Sequence, residues 1–360
     1  MTREFTALDV PCGCGGAALG IKQASFKLIF SLDISEVAAK TYEYNGLGKV
    51  IVEDIDKISN EIIPIVDLAW FSFPCQPFSH INARKSKEDD WRTTYLYNVL
   101  QLVSLSKPKI FIFENVPPVI NFKDYRKLKL LLQQLGYRLK EQILNAADFG
   151  LPQKRKRLFL VGTIDSLNYQ FPESTHTKDF GQKTLNGELL PKWVPVREIL
   201  EDVPNNQEAF IKYLNFPNRN GPKEYSIDEP IITLTTQNHF ELYFLSEKAL
   251  EGINRRLQQN KERNVGFGCY PINLDDPTDT LRACYGNFGT DQLLYYSEDK
   301  ARKLTIRECA RLQGFPDSFE FPFGSKSDKY RLIGNAVPVN VAFALAESAM
   351  SCLKGVEQKV

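Results

Sequence analysis

No run in this 360-residue sequence approaches the ~18 consecutive apolar residues that a membrane span needs. The opening MTREFTALDV also lacks the charged head, apolar run and cleavage site of a secretory leader, so a cytoplasmic location with no membrane partner is expected. A cysteine framework is missing as well. The seven cysteines are odd in number and scattered, and the nearest pair, Cys12 and Cys14, is spaced C-x-C. That pattern argues against a disulfide scaffold or a zinc ribbon and for reduced thiols with no resident metal. Neither sign of charge is in large excess: 45 Lys and Arg stand against 44 Asp and Glu, a net +1. This balance neither demands nor excludes a polyanionic partner, so any nucleic-acid surface must come from local patches. Internal repeats and low-complexity tracts are absent too.

What is present describes an ordinary globular chain, 43% hydrophobic and 25% charged, with a mean hydropathy of -0.30. Its length favours one large domain with a smaller companion. In the first half, FTALDV, KLIFSLD, VDLAWFSF and KIFIFENV read as strands, while 19–24, 37–45, 95–105 and 125–135 read as helices. Such a βαβ series predicts a parallel sheet covered on both faces, a Rossmann-like doubly wound α/β fold. RLKEQILNA and RLFLVGT are expected to add strands at its edge.

After about Asp165 the texture changes. Pro172, Pro191, Pro195, Pro204, Pro217, Pro222 and Pro230 interrupt the chain, and short β-like runs (IITLTT, LYFL, TLRACYG, QLLYY) sit among turn residues. A second, smaller, mostly β domain is expected. The segment 304–313 reads as a helix capped by Thr305 with Glu308 three residues on, and 339–353 as an apolar helix that packs back on the first domain.

LDVPCGCGGAALG places Gly13, Gly15, Gly16 and Gly20 between the first strand and helix, where glycines let a ligand approach the main chain. Asp33 closes the second strand, placed to accept from ribose hydroxyls. Gly13, Gly15 and Ala18 also fit the dinucleotide fingerprint, so this loop alone leaves a nicotinamide enzyme, a methyltransferase and a ligand-free turn all open.

The next strand ends narrow the choice. FSFPCQPFSH sets Cys75 after a buried strand in a loop stiffened by Pro74 and Pro77, and KIFIFENVPP delivers Glu114 and Asn115 to the same edge. A candidate nucleophile and a candidate acid therefore lie at neighbouring strand ends. DFGLPQKRKRLFLVG carries Gln153, Arg155 and Arg157, and strand alternation puts the two arginines on one face. A solvated basic edge is the plain alternative.

These motifs, together with LTIRECARLQGFPDSF and YRLIGNAVPVNVA, follow one another as in the cytosine-5 DNA methyltransferase family, which the chain resembles over nearly its whole length. The resemblance implies S-adenosylmethionine as cofactor, double-stranded DNA as partner, and a domain division of 1–178 (catalytic and cofactor-binding), 179–324 (target recognition) and 325–360 (a return to the first domain). It implies Cys75 as nucleophile, with Glu114, Arg155 and Arg157 as catalytic partners. Cofactor contacts are implied at Pro11, Gly13, Gly15, Gly16, Asp33, Ile34, Asp54, Ile55, Pro74, Asn335 and Val337. DNA contacts are implied at Gln76, Ser79, Arg84, Asn115, Gln153, Thr280 and Arg282. The polar stretch 79–93 fits a closing lid that contacts phosphates, with a plain solvated loop as the alternative, and Thr233, Thr235, Thr236 and Thr280 with Arg282 offer short donors for phosphate and groove contacts. A monomer is expected, with a cognate restriction endonuclease acting separately. One departure stands out: Pro11 occupies the place where the family usually has an aromatic ring against adenine, so either affinity falls or another ring, Phe30 or Phe73, takes over. A tRNA methyltransferase on the same scaffold and a non-catalytic relative remain rival readings.

Overall fold

The computed structural model describes residues 3–73, 95–179, 181–184, 186–200, 253, 255, 270–283, 285, 292–297 and 300–357. Expectations for Pro74, Cys75, Gln76, Ser79, Arg84, the 79–93 stretch and the runs IITLTT and LYFL fall outside these residues.

Strands β1 (Thr6–Val10), β2 (Lys27–Asp33), β4 (Leu68–Phe71) and β5 (Ile110–Asn115) form where the sequence runs almost continuously apolar. Every residue of β4 and β5 is buried, the signature of strands covered on both faces. With β3 (Ile51–Val52), β6 (Arg138–Asn145) and β8 (Lys156–Thr163) they build a seven-stranded sheet of order β3-β2-β1-β4-β5-β8-β6. The pairs from β3 to β5 are parallel, whereas β8 runs antiparallel to both β5 and β6. The two strands expected at the sheet edge are there, with β8 inserted between β5 and β6. From β1 the chain builds outward first to β2 and β3, then in the other direction to β4 and β5, so the crevice between β1 and β4 is the switch point where ligands bind in such sheets. Register aligns Val10 with Phe71 and Phe71 with Phe113, so Asp9, Phe71 and Glu114 end their strands along one edge.

Helices α1 (Gly16–Gln23), α2 (Glu36–Tyr44), α3 (Tyr95–Ser106) and α4 (Lys123–Gln134) follow the strands as expected. Helix α1 begins three residues earlier than its apolar pattern suggests, because the glycine loop turns directly into it. Ser35 caps α2 by accepting from the Ala38 amide at 3.3 Å. Further along, α5 (Ile306–Leu312) carries the expected capping box between Thr305 and Glu308. Helix α6 (Lys326–Asn335) escaped the sequence reading even though Ser325 and Asp328 form a second capping box there. Helix α7 (Val339–Glu357) returns to the sheet and packs on α1. A Cβ at Gly20 would sit 2.5 Å from the Phe343 amide nitrogen, so only glycine permits that approach. The helical stretch 326–355 is long and apolar enough by composition to cross a membrane, but most of it is buried within the fold as core.

Beyond the sheet, β7 (Gln153–Lys154) pairs with β10 (Thr278–Asp279), and β11 (Gln292–Ser297) lies between β9 (Tyr270–Pro271) and β12 (Lys300–Arg302). QLLYY is the strand expected, while the described part of TLRACYG is not strand: residues 280–283 are held by side chains instead of a ladder. One core cluster joins Cys12, Cys14 and Ala18 of the glycine loop to Leu281, Leu294, Leu304 and Ile333 from this later region.

Candidate active site

Every group discussed here sits at the carboxyl edge of the sheet. At the end of β1, Asp9 is completely buried, and among the described residues neither of its carboxyl oxygens has a hydrogen-bond partner within 3.5 Å. Burial pushes its pKa well above the carboxylate range, and the nearby charge of Asp33 adds to this, against a lowering influence from the Ala18 amide. Asp33 is also raised by burial, less so because the amides of Ser35 and Gly13 donate to it, each at 2.8 Å. The glycine loop is therefore tied to the end of β2 through a carboxylate. The thiols of Cys12 and Cys14 are pushed up as well, Cys14 to about 12, chiefly by burial. Both are thiols outside any disulfide, as is Cys352. Among the described residues no cluster of three or more His, Cys, Asp or Glu could hold a metal ion.

Gly13 and Gly15 adopt left-handed backbone, with φ of 53° and 101°. A Cβ at Gly13 would meet nothing within 4 Å, whereas one at Gly16 would lie 2.4 Å from the carbonyl oxygen of Val337. The glycine loop thus opens on one side and packs on the GNAVP segment on the other. That contact brings Ala336 and Val337, both buried, to the loop expected to bind cofactor, while Asn335, just before them, is exposed. Around the same edge, Ile34 is 70% exposed directly after Asp33, and the half-buried Asp54 caps a short turn through Asp56 and precedes Ile55. The residues present fit S-adenosylmethionine: Asp33, at the end of β2, offers a carboxylate to ribose hydroxyls beside a loop open at Gly13.

Pro11 is half-buried at the loop. The two rings weighed as substitutes are both in the core: Phe30 is 7% exposed and Phe73 is 5% exposed, the latter stacked on Tyr95 at 5.6 Å.

At the end of β5, Glu114 faces Arg157 of β8, with Arg157 Nε 3.1 Å from Glu114 Oε1. Burial raises the Glu114 pKa, and the charges of Arg157 and then Arg155 pull against that rise. Asn115 turns inward. Its amide donates to the Phe73 carbonyl at 3.2 Å and accepts from the Val116 amide at 2.9 Å, tying the exit of β4 to the exit of β5.

Strand alternation puts Arg155 and Arg157 on one face; the charges of both act on Glu114, while their hydrogen bonds go to different partners. The Arg155 amide bonds back to the Gln153 carbonyl at 3.0 Å, which breaks the extended run between β7 and β8. Arg155 is buried and donates to the carbonyls of Leu281 and Ala336 at 3.0 and 3.1 Å. Gln153 has no exposed surface, donating to the Leu312 carbonyl and accepting from the Leu281 amide. Thr280 donates to the Lys154 carbonyl at 3.0 Å, and Arg282 is half-exposed beside it. Asp9 is the residue the sequence reading passed over. It lies within the strand run FTALDV, and a charged group inside a fully buried strand was the available signal. A separate cavity of about 410 Å³, lined by Glu4, Lys22, Lys27 and Gly46 among others, lies at the amino ends of β1 and β2, away from these groups.

The sequence matches the family described as C-5 cytosine-specific DNA methylase over residues 5–351. It is 32% identical to the type II methyltransferase M.NlaX of Neisseria lactamica, covering 99% of both chains. It is 30% identical to the type II methyltransferase M.MspI of Moraxella sp, covering 99% of this chain and 73% of that one. Among solved structures, the Entamoeba histolytica methyltransferase EhMeth superposes with a TM-score of 0.67 at 18% identity, covering 98% of this chain and 99% of that one. The S. pombe Dnmt2 methyltransferase gives 0.65 at 19% identity, covering 97% and 99%. At those identities the structural likeness speaks to fold.

Proposed function

The chain belongs to the C-5 cytosine-specific DNA methylase family, and from that premise we propose that it methylates carbon 5 of a flipped-out cytosine in a specific double-stranded DNA sequence, through a covalent adduct at Cys75. The observation that supports this most directly is the buried pair of Glu114 and Arg157 at the strand end next to the one that leads to Cys75.

The chemistry explains why such groups are needed. Cytosine carbon 5 is a poor nucleophile until a thiolate adds at carbon 6 and converts the ring to an enamine. Cys75 supplies that thiolate. Electron density then moves to ring nitrogen 3, where the raised pKa of Glu114 lets it hold and deliver a proton. Arg157 balances charge at the neighbouring carbonyl oxygen. Asn115 holds the Phe73 carbonyl, which fixes the backbone just before Pro74 and Cys75. Bound S-adenosylmethionine supplies an electrophilic methyl group. Asp33 and Ile34, with Pro11, Gly13, Gly15, Gly16, Asp54, Ile55, Pro74, Asn335 and Val337, are the residues that would hold it. Loss of the carbon-5 proton then expels the thiolate and restores the ring.

A base inside the duplex cannot reach these groups, so it must be flipped out, at a cost of a few kcal/mol. Gln76, Ser79, Arg84 and Arg282 are the side chains proposed to contact DNA, with residues 179–324 reading the target and 325–360 returning to the catalytic part. The curated relatives are named as type II methyltransferases, and the same setting is proposed here: a monomer in the cytoplasm, with a restriction endonuclease acting separately.

Duplex DNA carrying 5-fluorocytosine at the target tests the proposal, since fluorine blocks the final elimination and traps the adduct. Wild-type protein should be trapped and Cys75→Ala should not. Trapping by the alanine variant would falsify the mechanism, and trapping on tRNA in place of duplex DNA would move the substrate to RNA.

A further inference from the structure

We propose that Gln153 and Arg155 are positioning residues that couple cofactor binding to target binding, holding methyl donor and base in register through one buried hydrogen-bond network. The inference rests on the methyltransferase reading above.

Leu281 is gripped twice. Its amide donates to Gln153 Oε1 at 2.9 Å, and its carbonyl accepts from Arg155 Nη1 at 3.0 Å. Around it, Thr278 pairs with Gln153 in the short parallel ladder, and Thr280 Oγ1 donates to the Lys154 carbonyl. The segment 278–281, which lies in the proposed target-reading part, is therefore seated on residues 153–155.

Each of the two side chains also reaches a second segment. Gln153 Nε2 donates to the Leu312 carbonyl at the end of α5, and Arg155 Nη2 donates to the Ala336 carbonyl. Ala336 and Val337 are the residues against which Gly16 of the cofactor loop packs. Two residues after Arg155, Arg157 meets Glu114. A continuous line of contacts thus runs from Leu281 through Arg155 to the cofactor loop, with the catalytic pair attached to the same strand. Both side chains are buried, so losing one bond would leave a polar group without water, which favours the complete network over a partial one. On this proposal cofactor and target each favour the complete network, and two such ligands strengthen one another equally in both directions.

The experiment first finds the target, by sequencing methylated cytosines in DNA from cells that express the full chain. The affinity of the wild-type protein for that duplex is then measured with and without S-adenosylhomocysteine. The ratio should lie in the ordinary range for coupled sites, about 5–150-fold. In Arg155→Lys and Gln153→Met it should fall toward one. Thr280→Val, a milder change at a half-exposed position, should lower it partly and serves if the buried variants fail to fold. Arg157→Lys should lose turnover while keeping the ratio. A wild-type ratio of one overturns the coupling. So does a ratio that survives in folded Arg155→Lys or in Thr280→Val; if Arg155→Lys then also loses 5-fluorocytosine trapping, Arg155 acts on the base itself. A wild-type protein that methylates no DNA refutes the functional reading instead, and the coupling with it.

Discussion

Replacing Glu114 by glutamine keeps the size and the acceptor for Arg157 Nε while removing the proton that ring nitrogen 3 would need. General acid catalysis contributes about 10²–10⁴-fold, so turnover should fall by that factor, equivalent to about 2.7–5.4 kcal/mol of barrier. Stability should change less, by about 1–2 kcal/mol, as the Arg157 guanidinium keeps an acceptor but loses its carboxylate partner. The pH dependence sharpens the expectation. Burial raises the Glu114 pKa in the folded protein, with Arg157 and Arg155 opposing. A carboxyl raised by folding contributes stability that is complete below its unfolded pKa and is lost as pH rises through the folded value. Catalysis by the protonated form follows the same sign, so wild-type turnover should decline on the alkaline side of the Glu114 pKa, and Glu114→Gln should lack that limb. Single-turnover methyl transfer to duplex DNA across the acid and neutral range measures both. A glutamine variant with wild-type turnover, or with the wild-type alkaline limb intact, would refute the assignment of Glu114 as the acid.

Gly16→Ala puts a Cβ 2.4 Å from the Val337 carbonyl oxygen, about 1 Å inside ordinary contact. It should cost about 1–3 kcal/mol and weaken S-adenosylmethionine binding; thermal unfolding and calorimetry both unchanged would show that the loop is not seated there. Arg302→Met should destabilise by about 3–5 kcal/mol, because the Arg302–Glu308 pair has no solvent exposure and makes two bonds of 2.7 and 2.8 Å. Adding Glu308→Gln to that variant should recover much of the loss, and a denaturant midpoint unmoved by the single change would contradict the burial argument.

The central strands were readable because a strand buried on both faces must be apolar along its whole length, as in IFIFEN and LAWF. The Thr305 capping box was readable because its bonds are local, and α6 could have been found by the same rule from Ser325 and Asp328. The break between two strands at Arg155 was not legible, because the bond from its amide back to the Gln153 carbonyl, and its side-chain bonds to the carbonyls of residues 281 and 336, depend on segments far away in the chain.

By itself the sequence determined the succession of the central strands and helices and the glycine loop, since these depend on residue type and near neighbours. Tertiary structure alone decided that Asp9 would be a buried carboxyl with no hydrogen-bond partner among the described residues. It also decided that Glu114 would be pressed against Arg157, and that Gln153 would bridge residues 281 and 312. Burial, desolvation and bonds across more than a hundred residues depend on which distant segments the fold brings together, and no local pattern carries that information.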